Sequence, residues 1–153
     1  MRVSDDTFDL AQVNIGVLRA PRDSPLIADF VANLEPINAL ADASPGFVWR
    51  LQGEGGDATS FRAFDSDTIL INMSTWESLE ALQAFVYRTA HTGVMRRRRE
   101  WFEPMADLYM ALWWVRAGHR PEIAEAEEKL QLLQRVGPSA DAFTFRQPFP
   151  PPG

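Results

Sequence analysis

The chain has no cysteine in its 153 residues. That absence removes disulfides, iron–sulfur clusters, thiolate zinc sites and cysteine nucleophiles from its chemistry. Histidine is almost as scarce, with two in the sequence. His91 and His119 stand far apart, and no H-x-x-x-H or histidine–carboxylate cluster accompanies them, so no dedicated metal site is expected. No run of about 20 apolar residues occurs, as a membrane-spanning helix would need. The opening MRVSDDTFDL is polar and acidic where a signal peptide needs a basic start and an apolar centre, and a cytoplasmic location is the expectation. Positive charge is in deficit. A net charge of -6 provides no field for non-specific binding to nucleic acid or anionic membranes. G-x-G-x-x-G, a Walker loop and G-x-S-x-G are also missing, which leaves nucleotide binding and serine hydrolase chemistry without a sequence warrant.

What is present is a substantial apolar fraction, 46% of residues. A chain of this size buries roughly 70% of its unfolded surface in a single domain, expected over residues 1–147, with FPPPG in a proline-rich tail from 148 to 153 that stays extended and outside the core. In FDLAQVNIGVL, Phe8, Leu10, Gln12, Asn14 and Gly16 share one face of a strand and Ala11, Val13, Ile15 and Val17 the other. Ser24-Pro25 supplies an N-cap and a first-turn proline for a helix reaching about Ala43, stopped by Ser44-Pro45-Gly46. Phe47–Leu51 and Thr68–Met73 read as strands separated by the glycine-rich GEGGD. Ser74-Thr75-Trp76-Glu77 matches a capping box and predicts a second helix running to Glu103-Pro104. Its core stripe is Leu79, Leu82, Val86, Ala90 and Val94, flanked by Glu80, Ala84, Tyr87 and His91. LYMALWWV (108–115) reads as a strand buried on both faces, residues 122–136 as a third helix ended by Gly137-Pro138, and AFTFR (142–146) as a last edge strand. The predicted class is α+β, in the order βαββαβ with an appended αβ.

His91 stands one turn after Tyr87, so a proton-transfer base, a haem ligand, a hydrogen-bond donor to substrate and a simple packing role are all open to it, with Tyr87 as supporting donor. His119, just ahead of the third helix, either reaches a pocket mouth or bonds a loop carbonyl. The five tryptophans (Trp49, Trp76, Trp101, Trp113 and Trp114) serve as core, interface or the walls of a cavity for a flat organic molecule. Trp113 and Trp114 are adjacent on a strand and must face opposite ways. Asn14 and Asn72 are strand amides in apolar surroundings that need partners or a wet cavity. The run Arg96–Arg99 covers all sides of a helix rather than one phosphate-binding face, and pairing with Glu100 or Glu103 is expected.

The stretches LAQVNIG (10–16), NALADASPGFVWRLQ (38–52), NMSTWESLEALQAFVYRTAH (72–91), RRRREWFEPM (96–105), LWWVRAGHRP (112–121) and GPSADAFTF (137–145) resemble a family of short bacterial proteins described as a domain of unknown function, DUF3291. That family is similar in fold to the dimeric α/β-barrel superfamily, which includes antibiotic-biosynthesis monooxygenases and haem-degrading enzymes. The resemblance implies a ferredoxin-like sheet, a homodimer with two sheets face to face, and a pocket between sheet and helices. Of Trp113 and Trp114, one would then face the pocket and the other the partner subunit. The function it implies is binding of a small apolar or aromatic molecule, with cofactor-independent monooxygenase-like chemistry. A non-catalytic binding or dimerisation module and a haem-binding protein are the alternatives. The residues assigned on this reading are His91 and Tyr87 for catalysis and Asn14, Trp49, Asn72, Trp113, Trp114 and His119 for substrate binding.

Overall fold

Strand β1, Phe8–Leu18, is the axis of the molecule, because every other long strand is placed by its register against it. The computed structural model describes residues 7–21, 23–52, 68–89, 97–104 and 109–152. After β1 come α1 (Pro25–Asp42), β2 (Phe47–Arg50), β3 (Ile69–Trp76), α2 (Leu79–Thr89), the short α3 (Arg98–Trp101), β4 (Phe102–Glu103), β5 (Met110–Arg116) and α4 (Ile123–Val136). On one side β1 pairs antiparallel with β3, which carries β2 at its far edge. On the other side β5 pairs along Phe8–Asn14, and β4 takes the remaining end at Val17 and Leu18. The principal strand order β2-β3-β1-β5, with helices between β1 and β2 and between β3 and β5, is the ferredoxin-like arrangement.

Alternation along β1 divides the core as the sequence pattern demands. Ala11, Val13 and Ile15 join Ile71, Met73, Ala111 and Trp113 on one face, where Ala126, Leu130 and Leu133 of α4 pack over them. Leu10 with Trp76 and Leu112, and Leu18 with Ile27, Phe30 and Trp101, form two further clusters on the face that carries α1 and α2. The chain's own α4 therefore covers the sheet face that the resemblance gives to a partner. Trp113 lies on that face and is 1% exposed beneath α4.

Local signals fix most boundaries. Ser24 caps α1, its hydroxyl accepting from the Leu26 N–H at 3.2 Å, and Pro25 occupies the first turn, where a missing N–H costs nothing. Gly46, at φ +82°, turns the chain into β2, and a Cβ there would come within 2.5 Å of Ala81. The capping-box reading fails. Ser74, Thr75 and Trp76 continue β3, α2 begins at Leu79, and the N-terminal cap is Ser78, whose hydroxyl accepts from the Ala81 N–H at 3.1 Å. The strand outcompetes the cap because Ser74 is already engaged on the sheet, as described below. Nor does one helix continue to Glu103, since Arg98–Trp101 form a separate turn that leads directly into β4.

The expected edge strand near 142–146 reduces to two isolated bridges, Phe143 with Leu112 and Ala142 with Ser139. The tail is not wholly outside the core. Phe149 packs on Phe143 at 5.9 Å between ring centroids, and its carbonyl accepts the Trp114 indole N–H at 2.9 Å.

Candidate functional site

Between the α1/α2 layer and the sheet lies a cavity of about 300 Å³, at the small end of the usual range for ligand pockets. Its floor is the even-numbered face of β1 and β3, where Gln12 and Asn14 stand opposite Ser74 and Asn72. α2 contributes Leu82, Phe85, Val86 and Thr89, the i, i+3, i+4, i+7 stripe that an amphipathic helix turns inward. Phe30, Ile37 and Ala41 of α1 close another wall, and Arg98, Trp101, Phe102 and Tyr109 form the end where β4 gives way to β5.

The floor is a connected polar network in an apolar box. Gln12 Nε2 donates to Asn72 Oδ1 at 2.8 Å and to Ser74 Oγ at 2.9 Å. Asn14 Nδ2 donates to Gln12 Oε1 at 3.0 Å and to Asn72 Oδ1 at 3.2 Å, and Trp76 Nε1 donates to Ser74 Oγ at 2.9 Å. An indole N–H can only donate, and in this arrangement the Gln12 amide nitrogen also donates, so Ser74 Oγ accepts twice. Its own O–H, the Asn72 amide N–H groups and the Asn14 carbonyl oxygen make no side-chain bond among the described residues and are open to a bound molecule.

The charge around the cavity is unlike that of the whole chain. Two arginines and no aspartate or glutamate line it among the described residues. Arg50 is held by Asp42 at 2.8 Å. Arg97, beside the site, is committed to Glu100 at 2.9 Å and to Asp29, and those two carboxylates raise its pKa above the ordinary guanidinium value. The expected pairing of the arginine run with Glu100 is thus made by Arg97. Arg98 instead lies over the rings of Phe102 and Tyr109, at 4.9 and 5.4 Å.

Of the residues singled out from the sequence, Asn14 and Asn72 come together on the cavity floor. His91 lies outside the described residues. Tyr87 is 69% exposed and off the lining, because it sits 100° around the helix from Val86. Trp49 is also off the lining. A bulge between Phe47 and Trp49 sends it to the α4 side, where it packs beside the buried cluster. Trp113 lies under α4, its N–H donated to Glu125 Oε2 at 2.9 Å, and His119 Nε2 stands 2.7 Å from Oε1 of the same carboxylate. Trp114 shares the pocket face but lies against Phe143 at 6.5 Å, beyond the lining. Gln12 and Ser74 were not anticipated as lining, and Trp76 and Trp101, two of the five tryptophans left open between core, interface and cavity wall, line it as well. Gln12 carried a signal, being a second polar residue on the strand face that holds Asn14, two positions away.

Gly16 gives the far end its shape. A Cβ on it would lie 2.5 Å from Phe102 Cδ1, so the Phe102 ring rests on bare backbone. Gly16→Ala should push that ring toward the cavity and cost about 1–3 kcal/mol by overpacking. Urea titration and a crystal structure of the variant would show it, and unchanged stability with Phe102 unmoved would contradict this account.

The chain belongs to the family Domain of unknown function (DUF3291), whose model matches residues 9–153. No curated protein matches it. Among solved structures it is similar to SnoaB, a cofactor-independent oxygenase from Streptomyces nogalater, at 17% identity and a TM-score of 0.50, covering 74% of this chain and 98% of that one. An asparagine-to-alanine mutant of the same oxygenase matches at 17% identity and a TM-score of 0.48, over 78% and 100% of the two chains. A protein of unknown function from Nitrosomonas europaea, NE2512, matches at 14% identity and a TM-score of 0.43, over 76% and 96%. The likeness to SnoaB is one of fold, ferredoxin-like α+β. No helix among the described residues is long and apolar enough to cross a membrane.

Proposed function

We propose that this protein binds a small apolar or aromatic organic molecule in the cavity above Gln12, Asn14, Asn72 and Ser74 and oxygenates it without a cofactor. The observation that carries the reading is the hydrogen-bonded floor at the base of an otherwise apolar, aromatic-walled cavity. The SnoaB likeness supports it at the level of fold. For an enolisable methylene beside a carbonyl, a base removes the C–H proton and the charge moves to the carbonyl oxygen, where the Asn72 N–H and Ser74 O–H are placed to hold it. The carbanion then transfers an electron to O₂, carbon and oxygen join as a peroxide, and loss of water leaves a new carbonyl. The balance is R₂CH₂ + O₂ → R₂C=O + H₂O.

The base in this proposal is His91, two residues beyond the lining residue Thr89. With an oxygen electrode and a panel of enolisable aromatic ketones, the protein should consume one O₂ per ketone formed. His91→Ala should reduce that rate by roughly 10²–10⁴-fold while circular dichroism stays unchanged. Full activity in the variant would assign the base elsewhere, and loss of the fold would mean that His91 packs. One observation favours a second reading, a non-catalytic binding module: among the described residues no carboxylate or imidazole lines the cavity. Ligand binding without O₂ uptake across the panel would select it.

A homodimer in the cytoplasm is part of the proposal. Because α4 covers the sheet face along β1, β3 and β5, a face-to-face pairing of sheets requires other parts of that face or a shifted α4. Native mass spectrometry of the same samples gives the subunit count, two being expected.

A further inference from the structure

We infer that the molecule bound in this cavity carries a carboxylate, received by Arg98 at the end formed by Trp101, Phe102 and Tyr109. The inference rests on the proposed reading that the cavity binds a small organic molecule, and it specifies the chemical class.

In a chain of net charge -6, the cavity is lined by two arginines and, among the described residues, by no acid. Arg50 already has Asp42, and the neighbouring Arg97 has Asp29 and Glu100, which leaves Arg98 as the lining cation with no ion pair among the described residues. Its guanidinium is positioned over Phe102 and Tyr109 instead. Stacking occupies the faces of a guanidinium and leaves its N–H edge for an in-plane partner with two oxygens, the geometry of a carboxylate. A second donor stands nearby. Trp101 is fully buried and lines the same end, yet its indole N–H has no hydrogen-bond partner among the described residues. Buried donors are almost always satisfied, so this one is a spare donor beside the same end of the cavity, within reach of a ligand acid once the Trp101 ring shifts. The aromatic walls take the apolar body, and the end of the cavity takes the acid.

Isothermal titration with two probes of nearly equal shape, 2-naphthoate and 2-naphthamide, tests this. Wild type should bind the acid about ten- to a hundred-fold more tightly than the amide, the effect of a hydrogen bond to a charged group. The preference should vanish in Arg98→Gln and be only partly kept in Arg98→Lys, which retains the charge and loses the planar fork. Equal affinities in wild type, or a preference that survives in Arg98→Gln, would overturn the carboxylate assignment and leave the small-molecule reading standing. Binding of neither probe would count against the cavity as a ligand site and remove both. Should Arg98→Gln fail to fold, salt titration of wild type decides: naphthoate affinity falling with ionic strength while naphthamide affinity stays flat is expected, and parallel behaviour would overturn it.

Discussion

Trp76→Ala should destabilise the protein by about 3–5 kcal/mol, the range for removing a large aromatic side chain from a packed interior. Trp76 is fully buried and connects three elements at once. Its ring stacks on Phe85 of α2 at 5.0 Å and 28°, meets Phe47 of β2 edge-on at 5.4 Å and 78°, and belongs to β3 itself. Its N–H also fixes the Ser74 hydroxyl on the cavity floor. Alanine would leave a void continuous with the existing cavity and free Ser74 to turn. Trp76→Phe separates the two contributions: it keeps most of the ring and loses the bond to Ser74, with an expected cost of about 1 kcal/mol for the bond plus a smaller packing loss. The measurement is the urea midpoint at unchanged slope. A Trp76→Ala midpoint close to wild type would show that the β2–β3–α2 junction is not held as described.

On the opposite face, Leu130→Asp should be at least as damaging. Leu130 is fully buried where α4 lies across Val13, Met73 and Trp113. A carboxylate there has no cationic partner in the cluster, and an unpaired buried charge costs several kcal/mol even after relaxation. The expected outcome is release of α4, visible as loss of amide protection over residues 123–136 before the strands lose theirs. Detached, the helix would expose the apolar sheet face, and aggregation on warming should follow. Retention of α4 protection in this variant would show that the helix is held chiefly by its ends, for instance by the Trp113–Glu125–His119 contacts, rather than by its apolar stripe.

Much of the fold was readable because its signals are local. Period-two alternation marked both faces of β1, Ser24-Pro25 marked the start of α1, and the acidic first turn and Gly137 bracketed α4. The errors came where two local signals compete for the same residues. Ser74-Thr75-Trp76-Glu77 has the composition of a helix cap, yet Ser74 gains two hydrogen bonds by staying in the strand, one of them from Gln12, 62 residues earlier in the chain. No window of neighbouring residues contains that information. The site divides in the same way. Asn14 and Asn72 were legible because alternation and amide chemistry are properties of one strand. Trp49 and Trp113 were misplaced because a bulge and a covering helix are properties of the assembled layers. Trp101 was left open between core, interface and cavity wall because its position depends on α3, the short turn that leads into β4.

The distribution of indoles has an optical consequence. Of the five tryptophans, Trp76 and Trp101 line the cavity, while Trp49, Trp113 and Trp114 lie beyond it. Emission from the intact protein is therefore a sum of two populations. A molecule entering the cavity touches one and leaves the other as an internal reference, so occupancy can be followed as a change in spectral shape rather than in intensity alone, without a label.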